Sequence, residues 1–223
     1  MPIIVQPVAD RTHPQNEDLV RALAMRPGYR LLRSFGSLGV DRVRSHLASQ
    51  ALAIEPLEEW WFWIDTDMVS EPHWVDMLFD SAVKHNSALM SAVTVCRKSH
   101  EPNVRISGTL PVHLGDNGSV MEIEKGAFAF AWTHRRLFEE VAKGLPEVDY
   151  KDDGTGEVLR GWPFFSPIIR NRIHYGEDYS MSLRARDAGL RLYADTRVRN
   201  WHASEELLGW EHMNNAEVQE MEK

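Results

Sequence analysis

Five side chains in this 223-residue sequence have types and spacing suited to joint chemistry: Asp65 and Asp67 in "WWFWIDTDM", Glu177 and Asp178 in "GEDYS", and His202 in "NWHAS". In an extended segment residues two apart point the same way, so Asp65 and Asp67 converge while Thr66 faces away. Two carboxylates held close at the dry end of a strand repel unless a cation sits between them. A hard divalent ion, Mg2+ or Mn2+, removes that penalty and is bound jointly by protein carboxylates and substrate phosphates. An isolated D-x-D is equally consistent with a solvated turn that binds nothing. Glu177 and Asp178 fall in the first turn of a helix, where the dipole and free N–H groups favour carboxylates whether or not they do more. His202 is open between a ring packed beside Trp201 and a ligand.

Such groups act together only if secondary structure aims them. "IIVQPV" reads as a buried first strand, "HPQNEDLVRALAM" as a helix with Leu19, Ala22 and Leu23 at helical spacing, and "YRLLRSF" as a second strand. Val40, Val43, Leu47 and Leu52 mark another helix, and Trp61 to Ile64 a strand apolar toward both faces. "SEPHWVDMLFDSAVKH" follows as a helix with Ser70 as N-cap and Pro72 in its first turn, then "SALMSAVTV" as a strand. Alternating strands and helices imply an α/β fold, a mostly parallel central sheet flanked by helices with a Rossmann-like N-terminal half. Ligands of such sheets bind outside the carboxyl ends of the strands, where the strand order reverses, and Asp65 and Asp67 sit at such an end.

Beyond residue 120 the pattern changes. "MEIEKGAFAFAWTH" reads as one strand, followed by a helix from about Arg135 and an irregular stretch over 146–175 containing Asp152, Asp153, Gly154 and Gly156. Loops of that length are usually functional lids or disordered segments. A helix from about Glu177, stopped by Gly189, precedes the strand "LRLYAD" and His202.

With 43% hydrophobic residues the chain can bury a sizeable core and fits one domain. No apolar run is long enough to cross a bilayer and no leader is evident, so the expected location is cytoplasmic. Cys96, the one cysteine, reads as a small core residue. A formal charge of -8 argues against general nucleic-acid binding. Residues 160–199 are nevertheless rich in arginine, and this is either a solvated surface balanced by the acidic tail or a phosphate-facing patch.

Taken together, "WWFWIDTDM", "GAFAFAWTHRRLF" and "GEDYSMSLRARDAGLRLYADTRVRNWH" resemble the small GT-A-fold glycosyltransferases, especially the family 2-like proteins of bacteria and their phages. The resemblance runs from Pro2 to about His202 and implies one catalytic domain over 1–203. Within it, 1–95 would bind the nucleotide sugar, 96–203 would supply the acceptor side, and 204–223 would form an acidic tail. It implies a Mn2+ or Mg2+ cofactor held by Asp67 and His202, with Asp65 on the metal or the ribose. Asp178, with Glu177 beside it, would be the general base of an inverting transfer. Pro7, Val8, Ala9, Asp65 and Thr66 would lie along the nucleotide, Arg44 near a phosphate or exposed on its helix, and Gly126 against the donor sugar. Trp162, Phe164 and Phe165 are stacking candidates within a lid over 150–175, although core packing accounts better for any single one of them.

The implied partners are a nucleotide sugar, a UDP-sugar foremost, and an acceptor left open between a glycan and a hydroxylated base of phage DNA. Two other readings stand beside this one. A sugar nucleotidylyltransferase would need a Gly-rich loop after the first strand, and "QPVADRTHPQ" has no glycine. A non-catalytic nucleotide- or carbohydrate-binding relative could keep every one of these ligands.

Overall fold

Along the central strand Trp61 and Trp63 turn to one side of the sheet, Phe62 and Ile64 to the other, and all four are fully buried. The computed structural model describes residues 2–8, 11–35, 39–54, 58–96, 100–106, 112–151, 158–203 and 207–208. From the N-terminus run β1 (Ile3–Val8), α1 (Pro14–Ala24), β2 (Arg30–Phe35), α2 (Val40–Ala53), β3 (Trp60–Ile64), β4 (Met68–Val69), α3 (Pro72–Lys84) and β5 (Leu89–Ala92). Next come β6 (Arg105–Ile106), β7 (Val120–Lys125), β8 (Phe130–His134), α4 (Arg136–Ala142), β9 (Val148–Lys151), β10 (Val158–Gly161), β11 (Ile168–Arg170) and β12 (Ile173–Tyr175). The last are α5 (Glu177–Asp187), β13 (Leu192–Asp195), β14 (Trp201–Ala203) and β15 (Leu207–Leu208).

Eight strands form one sheet in the order β2-β1-β3-β8-β5-β13-β7-β6. β1 pairs in parallel with β2 and β3, and β13 with β5, whereas β8 lies antiparallel between β3 and β5, and β7 antiparallel between β13 and β6. The sheet is thus mixed, with six strands pointing one way against β7 and β8. The order reverses between β1 and β3, which places a ligand crevice beyond Val8 and Ile64. Helices α2, α4 and α5 cover the face of Val5, Trp61 and Trp63, and α1 and α3 cover that of Ile4, Phe62 and Ile64.

The indole N–H groups in this core are satisfied: Trp61 donates to Glu58 O at 3.0 Å, Trp63 to Thr133 Oγ1 at 2.9 Å and Trp132 to Val75 O at 3.1 Å. Full burial of each such side chain stabilises by roughly 1.5–3 kcal/mol. This makes β3 a rigid support for whatever follows Ile64.

Three elements differ from their sequence reading. Ser70 is not the cap of α3, because its hydroxyl donates to Arg199 O at 2.7 Å and Glu71 is the capping residue ahead of Pro72. "MEIEKGAFAFAWTH" is not one strand but β7 and β8, which lie in different parts of the sheet. Between them Gly126 passes so close to the core that a Cβ there would lie 2.9 Å from Ile123 Cδ1 and Leu89 Cδ2. Within 146–175 the described residues include two antiparallel strand pairs, β9 with β10 and β11 with β12. The second turns on Asn171 and Arg172 with φ of 52° and 64°, a two-residue loop with no glycine to announce it.

Residues 152–157, which include Asp152, Asp153, Gly154 and Gly156, lie outside the described residues, as do Ala9 and the tail apart from Leu207 and Leu208. No helix among the described residues is long and apolar enough to cross a membrane.

Candidate functional site

β3 stops at Ile64, and residues 65–68 form a turn closed by Met68 N–H donating to Asp65 O at 3.1 Å. The two-residue alternation that would aim Asp65 and Asp67 at one point therefore ends before it reaches them. Both carboxylates still line one cavity, of about 160 Å3, together with Pro7, Val8, Val40, Val43 and Thr66. Thr66 lines this cavity as well. The acid pair is divided between two partners, Arg44 and His202.

Arg44, in the first half of α2, is 2% exposed. Its Nη2 donates to Asp65 Oδ1 at 2.8 Å and Oδ2 at 2.7 Å, and its Nη1 donates to Glu177 Oε1 at 3.3 Å and to Asp178 Oδ1. Arg44 is therefore not an exposed helix arginine, and a phosphate would have to compete with three carboxylates already in place. Burial opposes the guanidinium charge, and Asp178, Asp65 and Glu177 more than offset it, holding Arg44 protonated above its ordinary range. One cation against three carboxylates leaves the cluster with excess negative charge. Burial pushes the Asp178 carboxyl up to about 7, with Arg44 pulling it down and Glu177 and Asp65 pushing it further up. Its Oδ2 accepts the Phe128 N–H at 3.2 Å, from the segment where β7 and β8 part.

Asp67 Oδ2 lies 3.2 Å from His202 Nε2. The β4–β14 pairing sets His202 opposite Met68, and Ala203 N–H donates to Asp67 O at 2.7 Å. His202 Nδ1 is 2.9 Å from Val95 O, and a carbonyl only accepts, so Nδ1 carries the proton. In the neutral ring Nε2 then presents its lone pair toward a carboxylate, an arrangement that a cation between them makes favourable. Adjacent ligands of an octahedral ion at about 2.1 Å stand ~3 Å apart, so carboxylate and imidazole fit Mn2+ or Mg2+. A backbone carbonyl that fixes the tautomer is the usual support of a ligating histidine. Among the described residues no three His, Cys, Asp or Glu side chains gather around one metal position.

Other candidates fall elsewhere. Gly126 packs against the core and exchanges hydrogen bonds with Ser182, so its lack of a side chain serves packing and not approach to a sugar. Phe164 and Phe165 are fully buried, Phe164 edge-on to Phe138 and Phe165 edge-on to Phe128 and tilted against Trp63, and Trp162 packs on Phe164. Their segment is pinned to α2: Ser49 Oγ accepts the Trp162 N–H at 3.1 Å and Ser45 Oγ the Phe165 N–H at 3.0 Å. Residues 161–165 are therefore an anchored part of the core and not a lid. Four of the eight arginines of 160–199 are paired with carboxylates, Arg160 with Asp149, Arg170 with Asp187, Arg191 with Glu122 and Arg197 with Asp195. That distribution matches a balanced surface better than a phosphate-facing patch.

Val40 and Val43 were legible only as apolar helix positions, although a helix that starts beside the switch point necessarily borders its crevice. Asn16 was missed as well. It occupies the buried stripe of α1 with Leu19, Val20 and Leu23, and a polar residue at an apolar position of the helical repeat was its signal.

No family model matches the sequence, and no curated protein does. Among solved structures, the crystal structure of GalNAc-T7 with UDP, GalNAc and Mn2+ is similar, with a TM-score of 0.55 and 12% identity. The match covers 90% of this chain and 42% of that one, so the present chain corresponds to less than half of its neighbour. The likeness is one of fold, and the chain has a GT-A-like α/β architecture with a large mixed sheet flanked by helices.

Proposed function

We propose that this chain is a divalent-metal-dependent glycosyltransferase that moves a sugar from a nucleoside-diphosphate sugar, a UDP-sugar foremost, to an acceptor hydroxyl with inversion. The observation that carries the reading is the Asp67–His202 pair, the imidazole's tautomer fixed by Val95 O, with Asp67 lining the cavity beyond β1 and β3. A structure of the same fold was solved with UDP and Mn2+, which supports the choice of ligands. Pro7, Val8, Val40 and Val43 offer apolar walls for a base, and Asp65 and Thr66 offer oxygens for ribose hydroxyls.

Asp67 and His202 would hold the cation. When bound, Mn2+ or Mg2+ neutralises charge building on the departing diphosphate. A carboxyl pushed up to about 7 suits proton transfer near neutral pH, so Asp178 takes the acceptor proton as the acceptor oxygen bonds to the anomeric carbon. Arg44 and the Phe128 N–H hold that carboxyl in place. One observation favours a non-catalytic binding relative instead: these two donors occupy both oxygens of Asp178.

The test is Mn2+-dependent thermal stabilisation by UDP-, GDP-, TDP- and CMP-sugars, followed by donor hydrolysis. A donor at a hundred times its Kd should raise Tm by roughly 5–10 °C in a chain of this size. Stabilisation that survives Asp67→Ala, or that needs no metal, overturns the metal assignment. Asp178→Asn should abolish transfer and keep donor binding, whereas donor binding with no turnover by the wild-type chain selects the non-catalytic reading.

A further inference from the structure

The turn that carries Asp67 is held by a polar relay buried under it. Asn16, fully buried in the first turn of α1, donates from Nδ2 to Asp65 O at 2.8 Å and to Met68 O at 2.6 Å. Two carbonyls can only accept, so the amide nitrogen must face them and the amide oxygen must face away. That oxygen accepts from Gln6 Nε2 at 2.7 Å, and Gln6 is itself fully buried in β1. The remaining carbonyls are bound from other elements, Thr66 O by His13 N–H at 2.9 Å and Asp67 O by Ala203 N–H at 2.7 Å. Every carbonyl from Asp65 to Met68 thus has a donor, and a single side chain bridges the first and the last.

A carboxamide suits position 16. Two donors in one plane span the ends of the turn, while the acceptor on the far side lets Gln6 choose the amide's orientation. Gln6 Oε1 is buried with no hydrogen-bond partner among the described residues. An orphaned acceptor in a core is unfavourable for stability, so the contribution of this amide lies in what its nitrogen does to Asn16.

We propose that Asn16, oriented by Gln6, is a positioning residue that fixes the 65–68 turn so that Asp67 and His202 face each other at metal-ligand spacing. The proposal rests on the metal reading above. It acts entirely through backbone carbonyls, since neither amide belongs to the cation's own ligand set.

Gln6→Met keeps the volume of the side chain and removes both the amide and its orphaned oxygen, so the fold should survive with little change in Tm. Two measurements on the whole chain then judge the relay. Mn2+ binding followed by electron paramagnetic resonance, with UDP present, should weaken 10- to 100-fold in Gln6→Met and at least as much in Asn16→Ala. Hydrogen exchange in the metal-free protein should quicken at the Met68 and Ala203 amides while the amides of β1 and β3 stay protected. Unchanged Mn2+ affinity in both variants overturns the proposal, and so does a loss of affinity that merely tracks a fall in Tm. If the wild-type chain binds no Mn2+, the metal reading fails. The relay is then decided by exchange alone, and unchanged exchange at Met68 and Ala203 in Gln6→Met overturns it.

Discussion

Two ionic assemblies stand on either side of one four-residue turn, and they are built on opposite plans. Around Arg44, three carboxylates from the end of β3 and the start of α5 converge on a buried guanidinium, so the place a cation would take is already filled. Around Asp67 there is one carboxylate and one imidazole, both partly exposed, with the imidazole oriented by a backbone carbonyl. The first assembly joins the two halves of the chain and fixes Asp178. The second is where the proposed reading would place an ion. A D-x-D motif therefore need not act as a pair, because the residue between its acids can be the corner at which they are sent to different tasks.

The comparison breaks most severely at Arg44. Arg44→Met leaves three carboxylates without their cation and should cost about 3–5 kcal/mol in urea unfolding at pH 7, partly recovered at pH 5 as carboxyls take up protons. A loss below about 1 kcal/mol would mean that the cluster does not hold the halves together. Asp67→Asn should do the reverse, with Mn2+ affinity falling by more than about 100-fold in titration and stability changing by less than about 1 kcal/mol.

A third test uses pH. In the folded chain Asp178 keeps its proton up to about 7, and in the unfolded chain it releases it in the ordinary carboxylate range. Between those values the folded state binds more protons, so this group's contribution makes stability fall as pH rises, by at most about 1.4 kcal/mol per unit, and flatten above 7. Asp178→Asn should remove that descending limb from metal-free denaturation curves, and a limb that persists would assign the proton elsewhere. The smallest effect is expected on the surface. Arg170→Ala, which breaks an exposed pair with Asp187, should change stability by less than about 0.5 kcal/mol and vanish in salt.

Much of this fold was legible because its signals are local. β3 reads as a doubly buried strand from five consecutive apolar residues, and α1, α2 and α5 read from periodicity and from Gly189, whose φ of 77° ends the last of them. The candidate site was legible as a set of residues but not as a set of contacts. Arg44 meets Glu177 and Asp178 across 133 and 134 positions, a separation that no window of periodicity spans. Period-two alternation misplaced Thr66 because it holds only while a strand continues, and the turn after Ile64 is fixed by Asn16, 49 and 52 positions away from the carbonyls it binds. The β11–β12 hairpin was illegible for another reason, since two three-residue strands joined without a glycine carry too little pattern to stand out.

The two serine hydroxyls that fasten Trp162 and Phe165 to α2 bear on how this chain could come to accept different ligands. The same helix carries Val40 and Val43 of the cavity wall and Arg44 of the ion cluster. At Gly161 the chain lies so near that a Cβ would overlap Ser49 Oγ and sit 2.7 Å from Ser49 Cβ. Sliding α2 outward to admit a bulkier molecule would drag Phe164 and Phe165 out of the core and pull a buried guanidinium off its carboxylates. Breathing of the helix is thereby closed as a route to broader ligand scope. Adaptation is left to the valine side chains themselves, and trimming Val43 to alanine is the change by which a larger occupant would gain room.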